Sequence, residues 1–369
     1  MNKQRLVDEF IELVKIDSLS LKEREMADVL KAKLKTMGHD VYEDDTADKI
    51  GGNAGNIVCR IKGEKDVPAI LLMAHMDTVV PGLSKKPVID GNVIKTDGTT
   101  VLGSDDLAGV EAILETLRVL KEKNIQHGDI EVVFSVAEEC GLLGVKNLDF
   151  GNLSSKYGFV LDHGGDIGGV AISAPSQNAI SIRVEGKAAH AGVEPEKGIS
   201  AIQIASHAIS IMKLGRIDEE TTANIGVIEG GKATNIICEE IKITAEARSR
   251  NEKKLEKQTQ HMKECFEVSS RKFGGKIEFK SNLEYPAFNI DENEEIVNIL
   301  KNAAQKAGLN LKLSSTGGGS DTNIVNSKGI RAVILGIGMQ KVHTVKEQIF
   351  IDDMVKMVDF LVFIIKSIK

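Results

Sequence analysis

The apolar run ILLMA ends in His75-Met76-Asp77-Thr78, and alternation along a strand aims His75 and Asp77 the same way. One strand tip therefore offers an imidazole nitrogen and a carboxylate. Further on, Asp105-Asp106 follow Gly-Ser, Glu138-Glu139 follow the apolar stretch IEVVFSVA, Asp162 follows YGFVL, and His343 stands late in the chain. Acids repeated at strand ends are what a metal site on an open α/β sheet requires, because the loops at the carboxyl edges of such sheets host ligands and substrates.

Imidazole and carboxylate sets suit Zn²⁺ first, with Mn²⁺ and Co²⁺ as alternatives, and in two-metal hydrolases the ions sit about 3.5–4 Å apart. His75, Asp105, Glu139, Asp162 and His343 would supply two nitrogens and three carboxylates for two divalent metal ions. If Asp105 bridges, each ion receives one histidine, one terminal carboxylate and the shared aspartate. Asp77 is then free to hold the imidazole of His75 in the right tautomer. Glu138 is free to act as general base, since its neighbour Glu139 is committed to a metal. Each part has a plainer reading: His-x-Asp as a satisfied polar pair, two glutamates as a solvated face, Asp105-Asp106 as a cap for the following helix. The joint pattern is far more specific than any of them.

These residues need a scaffold, and the N-terminal half supplies alternating patterns. LVDEFIELVKI and EREMADVLKAKLKTMG repeat apolar residues at three and four, predicting two amphipathic helices, the second closed by Gly38. Strand-like NIVCRI, AILLMA, IEVVFSVA and GFVLD follow, with the helix DLAGVEAILETLRVLKEK between the second and third. The fold class is therefore α/β, a mainly parallel mixed sheet covered by helices. From Asn178 the order changes to β-α-β-β-α-β, ending at KIEFKSNLEY, which matches a ferredoxin-like α+β unit able to fold as an insertion. Alternation resumes near Pro286 through EEIVNILKNAAQKAG, AVILGIG and DDMVKMVDFLVFIIKSI. The expected division is a discontinuous metal-binding domain, 1–174 and 285–369, around an inserted lid or dimerisation domain, 175–284.

At 369 residues with a formal net charge of -7, the chain is long enough for a large core and more suited to two domains than one. No Lys/Arg run with interleaved aromatics occurs, which argues against a nucleic-acid partner. No apolar run approaches membrane-spanning length, and MNKQRLVDEFIELV has acids where a signal peptide needs apolar residues, so a soluble cytoplasmic protein is expected. Cys59, Cys140, Cys238 and Cys265 are widely spaced and form no C-x-x-C pair, which argues against finger-type zinc and a disulfide framework. Cys140, beside the two glutamates, is expected to be a small buried filler.

Several decoys fail. The segment from Gly226 to Lys232 imitates the start of a P-loop, but Ala233 stands where Ser or Thr must hold Mg²⁺. Neither H-E-x-x-H nor G-x-S-x-G occurs. His39, His127, His207 and His261 lack carboxylate companions and read as surface or packing residues.

HMDT, DGTTVLGSDDLAG, AEECGLLG, LDHGG, AAHAG, STGGGSDTN and the late HT followed by KE resemble the signature segments of the dinuclear zinc peptidase superfamily, which includes carboxypeptidase G, aminoacylase, acetylornithine deacetylase and peptidase T. The DGTT segment and the Gly-Gly after Asp162 bring the chain nearest the peptidase T branch of tripeptide aminopeptidases. The resemblance runs almost end to end. It implies the zinc peptidase fold, a bridging Asp105, His75 and Asp162 on one metal, and Glu139 and His343 on the other. It implies Glu138 as general base, Asp77 as orienting acid, and a cis peptide at Asp105-Asp106. His190 matches a histidine that polarises the scissile carbonyl. Asn235 and Arg248 match the region that grips the substrate, and the loop with Gly318, Gly319 and Ser320 matches the cradle for the substrate chain. The implied reaction is removal of the N-terminal residue from short peptides, with a hinge near Ala174 and Pro286 closing the insertion on the metals. N-acyl amino acid deacylation and carboxypeptidase activity use the same metals and stay as alternatives, as does a non-catalytic binding protein on this fold. The insertion could also mediate a homodimer, as in several relatives. Two departures, Leu107 where the family commonly has Lys and His163 after Asp162, leave the metal set intact and bear on fine specificity. By alternation His163 points away from Asp162 and reads as structural.

Overall fold

Strands that are apolar at nearly every position must be covered on both faces, and two such strands form the centre of this protein. In a computed structural model, which describes Met1–Lys369, Ile70–His75 and Ile130–Ser135 are buried throughout and pair in parallel, with His75 opposite Ser135. Tyr157–His163 runs parallel on the other side of Ile70–His75, and Arg331–Gly336 runs parallel beyond it. The margins are antiparallel: Ile57–Ile61 and Asp40–Glu43 on one side, Gly169–Ala174 on the other. Helices including Lys3–Val14, Ser104–Glu122 and Ile351–Ser367 cover the sheet, giving the mainly parallel α/β arrangement that the alternating patterns predict.

Ser104–Glu122 packs against Ile70–His75 and Tyr157–His163 and is buried on almost every side, its apolar residues Leu107, Val110, Ile113, Leu114 and Leu117 along with the polar Asp106, Glu111 and Glu115. Its first turn is irregular. Asp105 has φ -84° and ψ 99°, and the Asp105–Asp106 peptide is cis. Gly109 lets this helix approach the next strand: a Cβ there would lie 2.3 Å from Asp106 Oδ1 and 2.6 Å from the carbonyl oxygen of Leu161.

The sequence reading passed over a small antiparallel sheet in which Val93–Thr96 pairs with Pro87–Asp90 on one side and with Gln348–Phe350 on the other. Strands of three or four residues carry too few positions to show a period. This one has a clear consequence, since it fastens the chain just after His343 beside the chain just before Asp105.

By contacts the chain divides into two units, Met1–Ser173 with Asn289–Ser315 and Ser320–Lys369, and Ala174–Phe288 with Thr316–Gly319. The second unit is an antiparallel sheet in the order Gly215–Arg216, Thr221–Gly230, Glu240–Ser249, Ser176–Glu185, Lys276–Tyr285. Apart from the two-residue strand, this is the strand order of a ferredoxin-like unit. Alternate residues of Ser176–Glu185 and Glu240–Ser249, among them Ile180, Ile182, Val184, Ile241 and Ile243, form its core with Ala201–Ile211 and Glu252–Phe273.

Candidate metal centre

His75 is the last residue of its strand, and its backbone N–H donates to Asp106 Oδ2 at 3.1 Å. Asp106 is thereby occupied as a support for His75. Neither Asp105 nor Asp106 makes the side-chain cap that their position before a helix suggests. Nδ1 of His75 lies 2.9 Å from the backbone oxygen of Asp77 and 3.4 Å from its Oδ1. A carbonyl can only accept, so Nδ1 carries the proton and Nε2 is left as a lone-pair donor. Nε2 sits 3.1 Å from Asp105 Oδ1 and 3.9 Å from Asp162 Oδ1.

The other oxygen of Asp105 faces a different imidazole. His343 Nε2 is 3.2 Å from Asp105 Oδ2 and 2.7 Å from Glu139 Oε1. Ligand atoms of His75, Asp105 and Asp162 lie within 4.8 Å of one another, as do those of Asp105, Glu139 and His343, and those of His75, Glu138 and Glu139. Asp105 is common to the first two groups, one oxygen toward each.

The charge balance fits cations. Burial pushes the carboxyls of Glu138 and Asp162 well above the usual carboxylate range, and neighbouring carboxylates push the same way: Asp162 acts on Glu138, and Asp105 on Asp162. Burial also raises Asp105, but the two imidazoles that face it, His343 first and then His75, outweigh burial and hold its carboxyl low. Hydrogen bonds to Asp105 and Glu139 raise His343 to about 10. A buried cluster of acids balanced by only two imidazoles, with N and O donors in two overlapping sets, suits a pair of divalent ions better than it suits itself.

Asp77 does more than face His75. Its Oδ1 accepts the backbone N–H of Glu138 at 2.9 Å, and its Oδ2 accepts Ser20 Oγ at 2.6 Å and the N–H of Glu139 at 3.3 Å. Glu23 Oε1 accepts the N–H of Ala137 at 3.0 Å. Two buried carboxylates thus grip three consecutive amides of the turn that presents Glu138 and Glu139, a turn entered through Ala137 at φ 48°. Burial, with the Asp77 charge next, lifts the Glu23 carboxyl to about 7.

Sequence reasoning gave no role to Glu23, Asp321 or Glu347. Asp321 is buried, accepts Ser135 Oγ, and is raised to about 7 by burial. Glu347 accepts hydrogen bonds from the loop before Asp105. Asp321 and Glu347 lie within resemblance-bearing segments, but their partners are backbone amides and a serine hydroxyl, which no residue pattern displays. Cys140 corrects an expectation: it is exposed, because the Glu138–Leu142 turn carries it outward instead of into the core. His163 is half-buried, and burial lowers its pKa.

The remaining expected contacts fall elsewhere. Ser320 is buried, and its Oγ accepts Thr322 N–H as the cap of Asp321–Ser327. In the second unit, Gly319 packs under Tyr285, where a Cβ would come 2.2 Å from the ring, and Gly318 N–H donates to Thr316 Oγ1. His190 is exposed and its Nδ1 accepts from Gly192 N–H, which places any proton on Nε2. Asn235 lies alongside, its carbonyl accepting Ala191 N–H at 2.9 Å. Arg248 is held by both oxygens of Glu246, at 3.1 and 2.9 Å, and Glu246 also accepts Gln177 Nε2.

The fold and the acid–imidazole centre define a metallopeptidase. A profile of Peptidase family M20/M25/M40 matches residues 71–367, and the chain belongs to that family. It is similar over 100% of its length, at 46% identity and a TM-score of 0.93, to the crystal structure of aminopeptidase PepT from Bacillus cereus ATCC 10987, of which 99% is covered. A tripeptidase from Staphylococcus aureus subsp. aureus Mu50 is similar at 43% identity and a TM-score of 0.96, covering 99% of this chain and 98% of that one. The uncharacterized protein YqjE of Bacillus subtilis (strain 168) is 49% identical, covering 100% of this chain and 99% of the relative.

Proposed function

We propose that this peptidase removes the N-terminal residue from short peptides, tripeptides above all, with two divalent ions bound by His75–Asp105–Asp162 and Asp105–Glu139–His343. The observation that carries the reading is Asp105, whose two oxygens face two different histidines. The names of the Bacillus cereus and Staphylococcus aureus relatives support the substrate class. When bound, the ions supply Lewis acidity and lower the pKa of water. Zinc is the proposed metal.

The chain's own groups do the rest. Glu138 accepts a proton from the water that attacks the scissile carbonyl and returns it to the leaving amine. Asp77 fixes the backbone that carries Glu138, and the carbonyl of Asp77 holds the His75 tautomer. His190 donates from Nε2 to the developing oxyanion. Asn235, Arg248 and the Gly318–Gly319–Ser320 loop hold the substrate chain. We further assign the insertion, 175–284, as a lid and as the surface that pairs two copies, and place the enzyme in the cytoplasm.

The test is metal content together with a substrate panel. Free tripeptides should be hydrolysed, and N-acetylated tripeptides and N-acetyl amino acids should not, because an aminopeptidase requires a free α-amine. Turnover of N-acyl amino acids alone would replace this reading with a deacylase.

A further inference from the structure

We infer that Glu347 is a positioning residue for the metal centre, a tie that couples the bridging aspartate to the last ligand. This inference rests on the metal-dependent reading above. Glu347 is 2% exposed. Its Oε2 accepts the backbone N–H groups of Leu102 and Gly103, both at 2.8 Å, and its Oε1 accepts Ser104 Oγ at 2.7 Å and Asp105 N–H at 3.0 Å. All four donors lie in the segment that delivers Asp105, and one is the amide of Asp105 itself.

The other end of the tie is His343. Glu347 N–H donates to the carbonyl of Thr344, and Thr344 Oγ1 donates to the carbonyl of Lys341, closing a tight turn in which His343 takes φ 60°. Gln348–Phe350 then pairs with Val93–Thr96, so the turn is anchored on the same side that supplies residues 102–105. Glu347 does not reach the ligand atoms. It fixes the backbone from which Asp105 Oδ2 and His343 Nε2 meet at 3.2 Å. Groups that orient ligands in this indirect way typically govern metal affinity by about 10- to 100-fold.

Glu347→Gln is the informative variant. An amide keeps the shape but has one accepting oxygen. That oxygen can satisfy Leu102 and Gly103, while the NH₂ group can donate to Ser104 Oγ, whose hydroxyl can turn to accept. Asp105 N–H is then left facing a donor. Glu131→Gln is the control. Glu131 is also buried and accepts Ser154 and Ser155 N–H and hydroxyl groups, but it lies near the opposite end of the strand that finishes at Ser135.

Zinc affinity is measured by competition with a chromogenic chelator, alongside thermal unfolding and tripeptide kinetics. Glu347→Gln should weaken the more loosely held ion by about 10- to 100-fold, lower kcat at limiting zinc, and regain it at high zinc with KM unchanged. Glu131→Gln should lose thermal stability with zinc affinity intact. Wild-type affinity in Glu347→Gln, or an equal loss in Glu131→Gln, would overturn the inference. If Glu347→Gln does not fold, Ser104→Ala removes one of the four bonds and should weaken zinc binding by about fivefold, the ratio for one ordinary hydrogen bond; unchanged binding there would overturn it as well. Wild-type protein that binds two zinc ions but cleaves no tripeptide would defeat the peptidase reading and leave the role of Glu347 standing.

Discussion

Asp105 and Glu138 show how a residue acquires work from its neighbours. Asp105 divides its oxygens between two imidazoles, whereas Glu138, equally buried, makes no side-chain bond to either and is held through its backbone by Asp77. The proton-transfer role proposed for Glu138 gives a direct expectation. Glu138→Ala should bind two metal ions as wild type does, yet lose at least about 10²-fold in kcat, the lower range for general acid–base groups; metal analysis with steady-state kinetics checks it, and near-wild-type turnover would remove Glu138 from the reaction. The candidate cluster was legible in the sequence because carboxylates directly after largely apolar strands are costly unless they serve a purpose. Glu23 and Glu347 were not, because each is a single acid whose meaning lies in the amides it accepts.

At the scale of elements, the long strands and helices follow from their periods, and the insertion follows from the order of its elements. What escaped were mostly short strands, among them Asp40–Glu43, Pro87–Asp90, Val93–Thr96 and Gln348–Phe350, together with the six-residue Gly169–Ala174. Their formation depends on partners distant in sequence. Asp40–Glu43 illustrates the point, since Glu43 at its end accepts Arg24 at 2.6 Å and Lys31 at 2.5 Å from the helix Arg24–Thr36, and Gly55 N–H at 3.0 Å. Burial alone would raise its carboxyl, but hydrogen bonds from Arg24, Gly55 and Lys31 prevail and bring it down to about 2. A carboxyl depressed on folding contributes stability above its unfolded value and loses it as pH falls toward the folded one. Glu43→Gln should therefore unfold at lower temperature than wild type at pH 7, with the difference shrinking between about pH 4.5 and about pH 2. A gap that stays constant through acid titration, followed by circular dichroism, would show that Glu43 stabilises by packing alone.

For the whole molecule, the decisive fact is where the donors lie. His75, Asp105, Glu139, Asp162 and His343 all belong to the first unit, and none lies in Ala174–Phe288. A ligand that binds only the folded state stabilises it by mass action, about 2.7 kcal/mol for one site at a hundredfold excess over Kd. Chelation should thus accelerate amide hydrogen exchange in Ile70–His75, Ile130–Ser135 and Tyr157–His163, leave Glu240–Ser249 and Glu252–Phe273 little changed, and be reversed by zinc. Equal acceleration in both units would place a donor in the second. No helix is long and apolar enough to cross a membrane.

His343 and Glu347 enter the first unit more than two hundred residues after Asp105. During synthesis the ribosome releases the earlier donors long before this last turn emerges, and until it does the shared aspartate lacks both its second imidazole and the carboxylate that steadies it. The contacts that Asp105 makes with His343 and Glu347 are therefore available only once residue 347 has been made.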